Sequence, residues 1–341
     1  MIPGISQPQT AAYEAARQFA GVIDRSDRGR IVVSGNDRAS YLQGMLTNDI
    51  SALRAGSGCY AAYLTPQGRM IADLWVYELG DVILLTLPLD VKQTVIEKLD
   101  QFVFSEDVQL GDVTETFTHL ALVGPRAAGI LEAILPDLKP GELAAMPEHG
   151  NRRGRFADRP CIVLRVTDTG EPGFDVLVDA ADRPALIEAL RAAGASEIDR
   201  ATAEVLRVEA GVPKFHRDMD EETIPLEAGI ESRAISLNKG CYVGQEVIIR
   251  VLHRGHGRVA RRLVGLTLDG ETEAPVAARI MSEGRDVGQV TSSVKSVALM
   301  RPIALGYVHR DFVAPGTRVA IEGIPAVVTE LPFVKRPAGQ A

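Results

Sequence analysis

The stretch Lys239-Gly240-Cys241-Tyr242-Val243-Gly244-Gln245-Glu246 holds one of only three cysteines in 341 residues. A thiol is a nucleophile as its thiolate, and a nearby cation or a helix N-terminus favours that form. Val243, Val247, Ile248, Val251 and Leu252 fall at helical spacing, which predicts a helix starting at or just after Cys241 and stopping at Gly255. A strand is the alternative, because Val247-Ile248-Ile249-Arg250-Val251 is rich in β-branched residues. On the helical reading Lys239 adds a cation near the thiol, and Gly240 and Gly244 let a ligand or partner approach the backbone closely. The opposing reading is a buried, inert sulfur, a common state of free cysteine. The residues by themselves leave both open.

Immediately downstream, Arg250 to Arg262 carries five arginines and two histidines. An anion-binding edge, for polyglutamate, phosphate or RNA, is one reading, and a solvated face between domains is the other. His253 and His256 are candidate general bases for Cys241. No Asp or Asn can be assigned to orient them, so a cysteine hydrolase has little support.

Cys59, Cys161 and Cys241 are odd in number and far apart, which fits neither a disulfide framework nor zinc or iron–sulfur ligand spacing. No resident metal is expected, and a reducing cytoplasm is the expected location. Hydrophobic residues make up 46% and charged residues 24%, ordinary for a globular protein long enough for two or three packed units. No apolar run approaches the roughly 20 residues of a spanning helix, and the first residues lack the pattern of a secretion signal. No membrane partner is expected. A net charge of −8 argues against DNA and against general RNA contact.

The elements that must position these groups follow from periodicity. Residues 10–26 begin with helical spacing that breaks down, and Gly29–Gly35 reads as a strand. Residues 37–50 read as a helix with Asp37 as its N-cap and Tyr41, Leu42, Met45 and Leu46 on one face. Thr65-Pro66-Gln67-Gly68 is a turn between two strands, and 81–88 is a further strand. Residues 91–104 and 124–135 read as helices, and 118–124 as a strand. Two more strands flank Gly170-Glu171-Pro172-Gly173, and a helix follows over 182–195, with Pro184 in its first turn. Hairpins dominate over a βαβ rhythm, so the expected class is α+β on antiparallel or mixed sheets. From about Arg258 short strands separated by Gly, Pro and Asp predict a small all-β barrel or sandwich.

KGCYVGQE resembles the signature of the YgfZ-type folate-binding proteins, relatives of the glycine-cleavage T protein (aminomethyltransferase). YLQGMLTNDI, GCYAAYLTPQGRMIADLWVY, LVGPRA, GEPGFDVLV and LRVEAGVPKFHRDMDEETIPLEAGI follow in the order that superfamily shows. The resemblance implies a multi-lobed cloverleaf around a central folate-binding hole over residues 1–257, followed by a β-barrel domain over 258–341. The lobes interleave, as 1–50 with 112–257 and as 51–111. It implies tetrahydrofolate, or a folate derivative, as cofactor. It further implies a role in assembly or repair of iron–sulfur clusters, with client or assembly proteins as partners and Cys241 as the essential thiol, Lys239 beside it. Tyr242, Gln245 and Glu246 complete the motif. A folate-dependent aminomethyltransferase or demethylase is the alternative, and an RNA-contacting binding module the third.

Carried over residue by residue, the T-protein pattern is partly kept. Asp73 matches the acid near the reacting folate nitrogens, but Ala72 replaces its neighbouring aspartate. The pterin-binding turn reads Gly170-Glu171-Pro172-Gly173-Phe174-Asp175, with Asp175 one methylene shorter than the family's glutamate. Arg207 is kept while the first arginine of its motif is Ala203. Asn48 is a further candidate folate contact. The T protein lacks the cysteine of this motif, which disfavours aminomethyl transfer and moves the emphasis to Cys241. Each residue also has a structural alternative: Asp73 as a satisfied strand carboxylate, Asp175 as a turn end, Asn48 and Asp49 as helix stops, Arg207 paired within the fold, and Trp75 as core.

Overall fold

The computed structural model describes residues 7–253 and 257–335. The turn at Thr65–Gly68 forms as its residue types require: Gly68 takes φ +75 and donates its N–H to the Thr65 carbonyl at 2.8 Å. It joins the strands Gly58–Leu64 and Met70–Glu78, and Ile83–Pro88, Arg28–Ser34 and Gln109–Asp112 extend the hairpin to a five-stranded antiparallel sheet in that order. The first three strands are buried almost throughout, so the sheet is covered on both faces. The helices Arg38–Met45 and Lys92–Asp100 add Tyr41, Leu42, Met45, Val95 and Leu99 to its core. On the other side Tyr77, Leu79 and Leu84 pack against Leu164, Val166 and Leu177 of a second sheet.

That six-stranded sheet runs Ser196–Ile198, Gly21–Asp24, Phe117–Val123, Gly173–Asp179, Arg159–Arg165, Asn151–Phe156. Only the Gly21–Asp24 and Ser196–Ile198 pairing is parallel. The helices Ala127–Ile134 and Arg183–Ala192 supply Ile130, Leu131, Leu186 and Leu190 to its apolar core. The C-terminal region closes a six-stranded antiparallel barrel in the order Arg261–Leu268, Arg301–His309, Arg285–Ser296, Arg279–Ser282, Arg318–Ile321, Ile324–Thr329. The fold is thus mixed α+β with a closed C-terminal barrel.

Several local expectations change. Gly21–Asp24 and Arg28–Ser34 enter different sheets, on either side of the turn Arg25-Ser26-Asp27. Asp37 is the N-cap residue as expected, but its side chain makes no capping bond; its Oδ2 instead accepts the Asp107 N–H at 2.8 Å, which ties down a distant loop. Gln109–Asp112, Asn151–Phe156 and Arg279–Ser282 are short strands that the pattern did not announce. Gly255 and His256, expected as helix stop and candidate base, lie outside the described residues. Among the described residues no helix is long and apolar enough to cross a membrane.

Candidate functional site

The two sheets, the helix Arg200–Glu209 and the loop that follows it line a cavity of about 360 Å³. On the strand Met70–Glu78, Asp73 and Trp75 share a face because side chains alternate along a strand. Asp73 is only 5% exposed, yet lines this cavity. Tyr60, paired with Trp75 across the hairpin, donates its hydroxyl to Asp73 Oδ2 at 2.8 Å. Oδ1 is buried without a hydrogen-bond partner. Burial pushes the Asp73 carboxyl above the usual carboxylate range, against the attraction of Arg28. The Arg28 guanidinium lies 4.1 Å from the centroid of the Trp75 ring and donates to the Thr86 carbonyl at 2.9 Å. Arg233 lies over the Tyr60 ring at 5.5 Å. Trp75 is therefore a half-buried wall residue as well as part of the packing.

The other candidates are engaged within the protein. Asp175 is buried but does not line the cavity. Its Oδ2 meets His119 Nε2 at 2.7 Å, and Oδ1 lies 3.6 Å from Arg25 Nε. Burial alone would raise this carboxyl, but His119 and Arg25 hold it below the usual range. Arg25, which does line the cavity, pairs with Asp168 at 2.6 Å. Glu171 is buried against Arg17, on the first helix, Gln7–Gln18. Arg207 reaches the wall but is committed: Nη1 to Asp218 at 2.7 Å, Nη2 to Glu204 at 2.6 Å and to Ser292 on the barrel at 2.8 Å. Asn48 donates to the carbonyls of Tyr60 at 2.8 Å and Arg233 at 3.0 Å, so it positions two cavity residues from behind.

The thiol of the cysteine loop lies outside the cavity lining, although the loop reaches the Asn48 backbone through Lys239. Cys241 is exposed and is not among the residues that line the cavity. The helix begins at Gln245, beyond Gly244, so Cys241 does not sit at its N-terminus. Lys239 does not serve as the thiol's cation. It is buried, and its ammonium donates to the carbonyls of Gln43 at 2.6 Å, Leu46 at 2.6 Å and Asn48 at 2.8 Å. These carbonyls close the preceding helix and its exit, and a side chain with three donors suits them. Burial brings Lys239 down to about 8, which leaves it protonated at neutral pH. Cys59, half-buried nearby, is pushed up to about 12 by burial despite Lys239.

Gly244, at φ +83, could not carry a side chain: a Cβ there would lie 2.5 Å from the Thr65 carbonyl. The motif thus locks onto the Thr65–Gly68 turn. Gly240 has open space at its Cβ position, Tyr242 is buried, and Glu246 pairs with Arg250 at 2.6 Å. Farther along the basic run Arg261 pairs with Glu227 at 3.1 Å and Arg262 with Glu231 at 2.6 Å, so much of its charge is met within the protein.

Residues that sequence reasoning missed complete the cavity: Arg25, Arg28, Tyr60, Glu148, His149, Asp168 and Arg233. The dense charge of Asp24-Arg25-Ser26-Asp27-Arg28 between two apolar strands was a usable signal. For His149, at φ +62, no local pattern announces the strained backbone.

Comparison with known proteins agrees with this architecture. Residues 5–239 match the family described as GCVT N-terminal domain, and residues 261–335 the glycine cleavage T-protein C-terminal barrel domain. An aminomethyltransferase of Rubrobacter xylanophilus is 34% identical, covering 96% of this chain and 86% of its own. A putative chloroplastic transferase of Arabidopsis thaliana, At1g60990, is 32% identical over 95% of this chain and 74% of its own. The crystal structure of the glycine cleavage system aminomethyltransferase T from Bartonella henselae superposes with a TM-score of 0.86 at 25% identity, covering 96% of this chain and 90% of that one. Sheet order, barrel closure and these matches together establish that the chain belongs to the glycine cleavage T-protein family.

Proposed function

We propose that the chain binds tetrahydrofolate, the cofactor of this family, in the cavity beside Asp73 and takes part in folate-dependent one-carbon transfer of the aminomethyltransferase or demethylase kind. The observation that carries the proposal is Asp73 itself, a buried carboxyl on the cavity wall with Oδ1 unpartnered. Leaving a buried acceptor unsatisfied costs about 1–3 kcal/mol, which a ligand N–H would offset. Arg28 Nε and His149 Nδ1 are also buried without hydrogen-bond partners on the same lining, so a flat heterocycle with several donors and acceptors fits this donor set. Bound tetrahydrofolate would supply a ring nitrogen that carries the one-carbon unit. Asp73, anchored by Tyr60 and held toward its protonated form by burial, can accept or return that nitrogen's proton. Arg28 and Trp75 shape the wall beside it.

Calorimetric titration with tetrahydrofolate tests this. Wild-type protein should bind, and Asp73→Ala should bind about tenfold more weakly. Absence of binding heat and of any folate protection against thermal unfolding in the wild type would defeat it.

A second reading rests on Cys241. Its exposure, on a loop fixed by Lys239 and Gly244, suits a thiol presented to a macromolecular partner, and the YgfZ-type resemblance of KGCYVGQE supports a role in iron–sulfur cluster assembly. In cells lacking the native gene, Cys241→Ser should then fail to restore iron–sulfur enzyme activity. Full restoration would remove this reading while leaving the folate site untouched.

A further inference from the structure

His149 combines three features that the fold alone does not require. Its backbone sits at φ +62, a left-handed conformation uncommon for residues with a side chain, although asparagine, aspartate and histidine reach it more often than others. The side chain lines the cavity, and Nδ1 is buried with no hydrogen-bond partner. Glu148 Oε1 lies 3.8 Å from that nitrogen, too far for a hydrogen bond, and already accepts the Thr167 hydroxyl at 2.8 Å.

The neighbouring backbone has no room to relieve the strain. Asn151 donates its N–H to the Gly56 carbonyl and its Nδ2 to the Ser57 carbonyl, both at 2.9 Å. Gly150 donates to the Pro147 carbonyl at 2.9 Å. At Gly58 a Cβ would come within 2.6 Å of the His149 carbonyl oxygen, so that strand start must stay bare for the segment to pass. Burial, with the Arg233 cation nearby, takes the imidazole down to about 4, so the ring is uncharged at neutral pH.

Resting on the folate reading of this cavity, we propose that His149 Nδ1 is a second ligand contact: an imidazole that hydrogen-bonds a polar edge of the bound heterocycle distinct from the group meeting Asp73. A neutral ring is the useful form here, because it can pair with an uncharged amide or amine edge without bringing a second cation beside Arg233.

Two substitutions separate the backbone from the hydrogen bond. His149→Gly keeps the left-handed conformation and removes the imidazole. His149→Asn tolerates the same conformation and places an amide atom near the position of Nδ1. With 5-formyltetrahydrofolate as the calorimetric probe, His149→Gly should weaken binding about tenfold, and His149→Asn should return to within about threefold of wild type. In protein carrying nitrogen-15 histidine, the His149 ring resonance should shift on addition of the probe. Melting curves report whether each variant is folded. Wild-type affinity in a folded His149→Gly protein overturns the contact, as does a His149→Asn protein no better than His149→Gly. Failure of the wild type to bind the probe overturns the folate reading, and this contact with it.

Discussion

Lys239 and Asp73 are both buried ionisable side chains, and the protein treats them in opposite ways. Every N–H of the Lys239 ammonium goes to a backbone carbonyl. Asp73 has the Tyr60 hydroxyl on one oxygen and nothing on the other. A group whose hydrogen-bonding capacity is used up belongs to the architecture, whereas one left short at a cavity wall is available for a ligand. The same criterion assigns Arg207, Asn48 and Glu171 to the scaffold, because each is engaged with partners elsewhere in the chain.

The largest effect is expected where that comparison is broken at Lys239. Lys239→Met keeps an unbranched side chain, one atom shorter, and leaves three carbonyls without their donor, a loss of roughly 3 kcal/mol. Urea unfolding should show a clearly lower midpoint. A change below about 0.5 kcal/mol would mean that the ammonium does not hold the end of its helix.

At Asp73 the sign reverses. Burial raises the folded carboxyl above its unfolded value, so ionisation favours the unfolded chain, and the cost is present above the folded value. Asp73→Asn should therefore raise stability at pH 7 while losing folate affinity. The gain should shrink as pH falls through the folded value and vanish below the unfolded value of about 4, where Asp73 is protonated in both states. A gain that grew on acidification would contradict the raised carboxyl.

The smallest effect belongs to Cys241, which is exposed and outside the cavity. Cys241→Ser should leave stability within about 0.5 kcal/mol and folate affinity unchanged. A loss of folate affinity would connect the thiol loop to the cavity and blur the distinction between the two regions.

The fold was largely legible because its long strands carry their own signals. Thr65-Pro66-Gln67-Gly68 between two apolar runs specifies a hairpin, and the glycine-punctuated strands after Arg258 specify the barrel region. Gln109–Asp112 and Asn151–Phe156 were not legible, since their side chains are largely polar and exposed. They are strands because remote backbones pair with them. The site shows the same division. Asp73 was named from its motif, and its burial follows from the apolar strand around it. Asp175 was named by the same route, yet His119 binds one of its oxygens, the Arg25 charge lies 3.6 Å from the other, and the residue stays off the cavity wall. Which carboxyl faces the cavity and which meets a histidine depends on such distant neighbours, and local sequence does not encode them. Lys239 was read as the thiol's cation because only Gly240 separates them in sequence. In space its ammonium is committed to the carbonyls at the end of the helix Arg38–Met45.

The hydrogen bond from Arg207 to Ser292 has a consequence for how this protein can be recombined. The barrel looks like a detachable module, with its own family match and its own closed sheet. Yet Leu263, Ile303, Leu305 and Tyr307 of the barrel share one apolar core with Tyr13, Ile23 and Val205, and Arg207 ties the same barrel to the cavity wall. A chimera that takes its barrel from a relative would therefore exchange part of the support behind the pocket. Such a graft must carry matching residues at 207, 218 and 292, or the donor barrel would reset the pocket it was meant to leave alone.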